Sequence, residues 1–268
     1  MNRIENIFQT NRDAGRKALM PFVCGGSPTL DDMRETLPAL DRAGASIIEI
    51  GIPFSDPIAD GPVIAEAMHR ALEAGVTPEG VLECVASVRS SISAGIVAMT
   101  SVSIVERIGR DRFAEMLADA GFDGVIYPDA PLEEAGPLAK AATDRGLTAS
   151  LLVAPTTPLD RAKQICEASS GFVYVLARAG ITGEQGGGPS AAIRSRIADL
   201  RTVTDLPLAV GFGVSTPEHV HAVVSTDAGD ADAAIVGTAL VRRMTEAGPG
   251  QAAEAASSFC SELASGLG

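Results

Sequence analysis

The run Ile47-Ile48-Glu49-Ile50-Gly51 sets one carboxylic acid inside an apolar stretch. An acid held there must pair with a cation or lose solvation, and lost solvation raises its pKa toward neutral pH, where proton transfer is useful. Glu49 therefore reads as a general acid–base candidate ahead of the alternative, a structural ion pair with a Lys or Arg of a neighbouring strand. The chain that follows, up to Pro62, carries Asp56 and Asp60 and is stiffened by Pro53, Pro57 and Pro62. Taken by residue type alone, these two aspartates read as turn residues.

A second constellation is made of glycines. Gly211-Phe212-Gly213 and Gly237-Thr238 each end a β-branched run, and the second opens a helix-patterned stretch. Backbone N–H groups at such places hold phosphate without needing side-chain cations. The three histidines, His69, His219 and His221, have no metal-ligand spacing with Cys or acids and read as solvated helix residues. Cys24, Cys84, Cys166 and Cys260 show no CxxC spacing and read as buried apolar residues in a reducing compartment.

The elements that must position these groups alternate along the whole chain. Buried-strand patterns fall at Ala18–Cys24, Ser46–Gly51, Gly95–Thr100, Gly124–Tyr127, Thr148–Val153, Phe172–Leu176, Leu208–Gly211 and Ala233–Val236. A helical pattern follows each, as with Leu30, Met33, Leu37 and Leu40 after the first, where Thr29, Asp31 and Asp32 mark a capped start. Gly44, Gly121 and Gly146 stand where helices stop. Ile4, Ile7 and Phe8 form an apolar stripe on a helix before the first strand, suited to plug the barrel bottom, and Gln251–Leu263 reads as the last helix. Eight βα units with no composition break predict an α/β fold, a single TIM (β/α)8 barrel domain over residues 1–268 with an extra N-terminal helix. An open Rossmann-like sheet is the alternative.

Composition agrees. Aromatics make up 4% of the chain and Trp is absent, so the core must be filled by Val, Ile, Leu and Ala, the residues that fill a parallel barrel. A formal charge of −13 argues against nucleic acid or an anionic membrane as partner. No signal-peptide pattern or transmembrane run is present, and a soluble, cytoplasmic protein is expected.

The segment 47–62 resembles the hallmark of tryptophan synthase α subunits, a strand ending in Glu followed by Gly-(Ile/Val)-Pro-Phe-Ser-Asp-Pro-x-Ala-Asp-Gly-Pro. Further segments are similar to that family: Pro21-Phe22-Val23 with Gly25, Gly26 and Pro28, Pro128-Asp129-Ala130-Pro131-Leu132-Glu133-Glu134, Ala154-Pro155-Thr156-Thr157-Pro158, and Arg178-Ala179-Gly180-Ile181-Thr182-Gly183. The resemblance spans nearly the whole chain. It implies retro-aldol cleavage of indole-3-glycerol phosphate to indole and glyceraldehyde 3-phosphate, as the α subunit in tryptophan biosynthesis. Glu49 and Asp60 would be catalytic, Gly183, Gly211, Gly213, Gly237 and Thr238 would hold the phosphate end with Thr182 beside them, and Phe22, Tyr174 and Phe212 would line the indole or glycerol portion. It implies no metal and no cofactor in this chain, pyridoxal phosphate in a partner β subunit only, and an α2β2 complex.

The chain departs from the family pattern in three places. Met99-Thr100-Ser101-Val102-Ser103-Ile104 lacks the family's Tyr-rich stretch and Asn-Pro, Glu184-Gln185-Gly186-Gly187-Gly188 lacks its Arg, and Val63 and Ala65 stand for Thr and Gln. These departures suggest a diverged or stand-alone α paralogue with weakened coupling to a β subunit as the alternative. A silent, purely allosteric α subunit and a sugar-phosphate epimerase or isomerase on the same barrel are the competing readings. The intact Glu49–Asp60 segment weighs against both.

Overall fold

The computed structural model describes residues 1–57, 60–176, 191–211, 213–225 and 230–268. Eight strands run β1 Ala18–Cys24, β2 Ile47–Gly51, β3 Gly95–Met99, β4 Gly124–Tyr127, β5 Thr148–Val153, β6 Val173–Leu176, β7 Leu208–Gly211 and β8 Ala233–Val236. Every neighbouring pair is parallel, and β1 also pairs with β8, so the sheet closes on itself. The predicted strands match to within a residue at either end. The open-sheet alternative is excluded by the β1–β8 register, Ala18 opposite Ala233 through Pro21 opposite Val236.

The helices are α1 Arg3–Asp13, α2 Leu30–Arg42, α3 Pro62–Glu73, α4 Pro78–Val88, α5 Val102–Ile108, α6 Arg110–Asp119, α7 Leu132–Thr143, α8 Leu159–Ala168, α9 Ala191–Arg201, α10 Pro217–Val224, α11 Thr238–Ala247 and α12 Ala252–Ala264. Local chemistry sets their ends. Thr29 accepts the Asp32 N–H at the start of α2, and Pro62 and Pro78 begin α3 and α4, where a missing N–H costs nothing. Gly44 and Gly121, at φ of +99° and +85°, leave the ends of α2 and α6 through a conformation that a Cβ would strain.

Alternation along the strands sorts the core. Outward residues such as Leu19, Ile48, Ile50, Ile96 and Val125 pack under the helices, while Ala18, Met20, Ile47, Val97, Ile126, Tyr174 and Ile235 fill the barrel itself. From α1, buried Ile4 and Phe8 close the bottom, with the Phe8 ring 5.9 Å from that of Phe172. The bottom is also tied by Asp123, which accepts the Ile96 N–H at 2.9 Å and pairs with Arg89 at 3.1 Å. This end is built for stability, leaving the opposite rim for function.

That rim holds structure beyond the expected barrel. The segments after β2, β3 and β8 each fold an additional helix: α3, α5 and α11. Of these, α3 and α11 pack on each other and on β1, laying a roof over one side of the mouth.

Candidate active site

Glu49 points into the barrel between Ile47 below and Gly51 above, and its neighbours in register are Phe22 on β1 and Val97 on β3. All four are apolar or lack a side chain, so the carboxyl is fully buried. Among the described residues neither of its oxygens has a hydrogen-bond partner. The ion-pair alternative is thereby overturned. Burial pushes its pKa from 4.5 up to about 8, so the protonated acid is the favoured form at neutral pH.

Asp60 lies at the rim, its N–H bonded to the Pro57 carbonyl at 3.0 Å, one residue before Gly61 caps α3. Burial raises it from 3.8 to about 6, which leaves it ionised at neutral pH. The two acids thus separate into a proton donor and an anion, set apart by how deeply each is sunk. Asp56 behaves otherwise: it accepts the Ser55 hydroxyl at 2.7 Å in an exposed turn.

Tyr174 brings the acids together electrostatically. Its buried phenol sits well above the usual tyrosine range because of desolvation first, then the charges of Glu49 and Asp60. A methyl placed on Gly211 would overlap that phenol, and one on Gly51 would come within 2.5 Å of the Phe22 ring and 3.3 Å of the Met68 thioether methyl. Gly237 caps α11 and lies against Phe22, 3.8 Å from a Cβ placed there, with Thr238 opening the helix. Gly213 has a φ of +75° and open space around it. Phe22, Glu49, Asp60, Tyr174, Gly211, Gly213, Gly237 and Thr238 therefore all belong to the same end of the barrel. Thr182, Gly183 and Phe212, along with the Glu184–Gly188 stretch, lie outside the described residues.

Several residues at this end of the barrel were not expected to form part of the site. Cys24 faces inward two positions above Phe22, and its thiol is pushed up to about 12 by burial and by the Asp60 charge. Met68 and Met99 border a narrow cleft of about 30 Å³ beside Asp60, lined also by Ile52 and Thr100. Asp129 accepts the Ser101 hydroxyl at 2.6 Å and the Val102 N–H at 2.9 Å, pinning the start of α5. Strand parity would have found Cys24 and Met99, since both continue the inward rows of Phe22 and Val97. Nothing local marks Met68 or the Asp129 tie.

His69 is exposed and 3.4 Å from Glu73, and His219 lies 3.4 Å from the Ser215 hydroxyl, both on helices as expected. Among the described residues no three His, Cys, Asp or Glu side chains converge as a metal-ligand set. All four cysteines are free and buried. No helix among the described residues is long and apolar enough to cross a membrane.

A closed parallel barrel with one fully buried and one half-buried acid and glycine turns at its carboxyl rim defines a (β/α)8 enzyme of the acid–base class. The chain belongs to the tryptophan synthase alpha chain family, whose model matches residues 8–267. Among curated relatives, the tryptophan synthase alpha chain of Prochlorococcus marinus (strain MIT 9313) is 44% identical over 265 residues, covering 99% of this chain and 95% of that one. That of Synechocystis sp. is 42% identical over 266 residues, covering 98% of both. A solved Mycobacterium tuberculosis tryptophan synthase structure superposes with a TM-score of 0.90 at 34% identity, covering 99% of this chain and 98% of that one. Nothing in these likenesses favours the diverged, uncoupled alternative.

Proposed function

We propose that this chain cleaves indole-3-glycerol phosphate to indole and glyceraldehyde 3-phosphate, with Glu49 and Asp60 as its catalytic pair. The observation that carries the assignment is Glu49 itself: a fully buried acid with no partner among the described residues, favoured as a proton donor near neutral pH, at the functional end of the barrel.

The chemistry follows from the two charge states. Breaking the bond from indole C3 to the side chain needs a proton on C3, which makes that carbon tetrahedral and the ring cationic. Glu49 supplies the proton, and ionised Asp60 stands by the ring N–H to offset the positive charge. An opposite charge at about 4 Å and an effective dielectric near 20 is worth roughly 4 kcal/mol as an upper guide. The side-chain hydroxyl then gives its proton back to Glu49 as the carbon–carbon bond electrons pass to the ring and the aldehyde forms. The acid ends as it began, so the scheme asks for no metal and no cofactor in this chain.

The phosphate end of the substrate is assigned to the backbone N–H groups of Gly211, Gly213, Gly237 and Thr238, with Gly183 joining them and Thr182 beside it. The start of α11 adds the positive end of a helix dipole to that cradle. Phe22, Tyr174 and Phe212 enclose the indole and glycerol portions. The chain works in the cytoplasm as one barrel domain, in an α2β2 complex with a β subunit that carries pyridoxal phosphate. The deciding experiment is indole release from indole-3-glycerol phosphate by the purified chain, alone and with a β subunit. Measurable release alone and faster release with the partner are expected; no release in either mixture overturns the assignment.

A further inference from the structure

Met99 occupies a special place between the two acids. It ends β3, pairs in register with Gly51 and Ile126, and faces inward one layer above Val97, the neighbour of Glu49. It is half-buried and touches both the cluster filling the barrel and the rim cluster of Phe22 and Met68. Beyond it lies a narrow cleft beside Asp60 with room of only about 30 Å³, walled by Ile52, Phe54, Met68, Thr100 and Pro128, so a further group on a ring seated there needs a wall that moves. The residues that follow Met99 are Thr100 and Ser101, so no large side chain fills that space from the strand end.

The backbone around Met99 is pinned. Its carbonyl accepts the Ile52 N–H at 2.8 Å, and the Thr100 N–H donates to Ile126 at 3.1 Å. Asp129 then fixes the next turn through Ser101 and Val102. The strand therefore cannot yield, but the thioether can: an unbranched side chain with three rotatable bonds reshapes to fit its surroundings, and Met68 across the cleft has the same freedom.

We propose that Met99 is a specificity-determining residue, a movable end wall that lets the ring pocket accept substrates with a small neutral group on the benzo edge of the indole. This rests on the assignment of Asp60 to the ring N–H. Carboxylates of Asp56, Asp60 and Asp129 border the cleft, so an anionic group is rejected and the tolerated substituent is methyl- or chlorine-sized and uncharged.

The test compares kcat/KM for indole-3-glycerol phosphate and for the same compound bearing a methyl on its benzo ring. The native enzyme is expected to favour the parent by no more than about tenfold, the low end of what one methyl costs in a fixed apolar pocket. Met99→Phe stiffens and fills the wall and should widen that preference by a further ~10- to 200-fold, while Met99→Ala should narrow it. A native preference above ~100-fold, or two variants that change both substrates alike, overturns the proposal. Calorimetric binding of indole and 5-methylindole to the same three proteins reads the pocket without cleavage. If the parent compound is not cleaved at all, the assignment of the reaction fails, whereas the ratio of the two indole affinities still decides the role of Met99.

Discussion

Tyr174 stands on β6, the strand opposite Glu49 on β2, and burial raises both its phenol and the Glu49 carboxyl above their ordinary pKa ranges. The leading cause is the same in both groups: burial away from water penalises the charged form. Tyr174 and Glu49 are therefore both neutral at neutral pH for one physical reason, and Asp60, nearer the rim, is the group that carries the charge.

Stability should record this. The pKa of Glu49 is about 8 in the folded protein against 4.5 ordinarily, so the unfolded chain gives up its proton first as pH rises. The contribution of Glu49 is thus fully present below pH 4.5 and is lost between there and about pH 8, at up to about 1.4 kcal/mol per pH unit. Glu49→Gln removes the titration while keeping the shape. Chemical denaturation from pH 5 to 9 should show the variant gaining on the native protein as pH rises. Parallel stability curves for the two proteins would contradict a buried, protonated Glu49.

Activity should show the same two groups from the other side. In the proposed scheme cleavage needs Asp60 ionised and Glu49 protonated, so kcat/KM should rise with a pKa of about 6, fall with one of about 8, and peak near neutral pH. Glu49→Gln and Asp60→Asn should each lower kcat by ~100-fold or more with the fold intact by circular dichroism. In Asp60→Asn the residual activity should lose its acidic limb and keep its alkaline one. Near-native turnover in either variant would remove that residue from the mechanism.

The barrel was legible because its signals repeat. Eight β-branched runs, helix stops such as Gly44 and Gly121, and the Ile4–Phe8 stripe each follow from short-range rules that tertiary packing did not override. Glu49 was legible for a related reason, as an acid where the pattern demands an apolar residue. Asp60 was not: a loop aspartate before a proline helix start looks the same in a turn or an active site, and only the family pattern singled it out. The roof made by α3 and α11 was hidden because a loop that folds a helix over the mouth carries the same periodicity as one that packs outside. The Asp129 tie joins residues 28 apart in sequence and has no local signature.

Gly211 and Tyr174 offer a cycle that checks the geometry of the mouth. A Cβ on Gly211 would come within 2.8 Å of the Tyr174 ring carbons and closer still to its hydroxyl. Gly211→Ala should cost about 1–3 kcal/mol, the usual range for forced overpacking. Tyr174→Phe removes the atom nearest the clash, so the double variant should recover part of that loss, giving a favourable coupling of about 0.5–3 kcal/mol in urea unfolding. Strict additivity would mean that the two side chains do not meet.

Asp129 should act through the wall that Met99 ends. Its carboxylate holds the Ser101 hydroxyl and the Val102 N–H at the first turn of α5, the role of a capping acceptor supplied from the next loop. Asp129→Ala leaves that turn unsatisfied and should destabilise the protein by about 1–2 kcal/mol, with Asp129→Asn costing less because one acceptor oxygen remains. Asp129 gives no proton to the substrate in the proposed scheme, so its loss should raise KM more than it lowers kcat, the mark of a shifted pocket wall. Asp129→Asn should restore most of the KM. A variant that loses kcat while KM stays native would instead put Asp129 in the chemistry and break the division of labour drawn between it and Asp60.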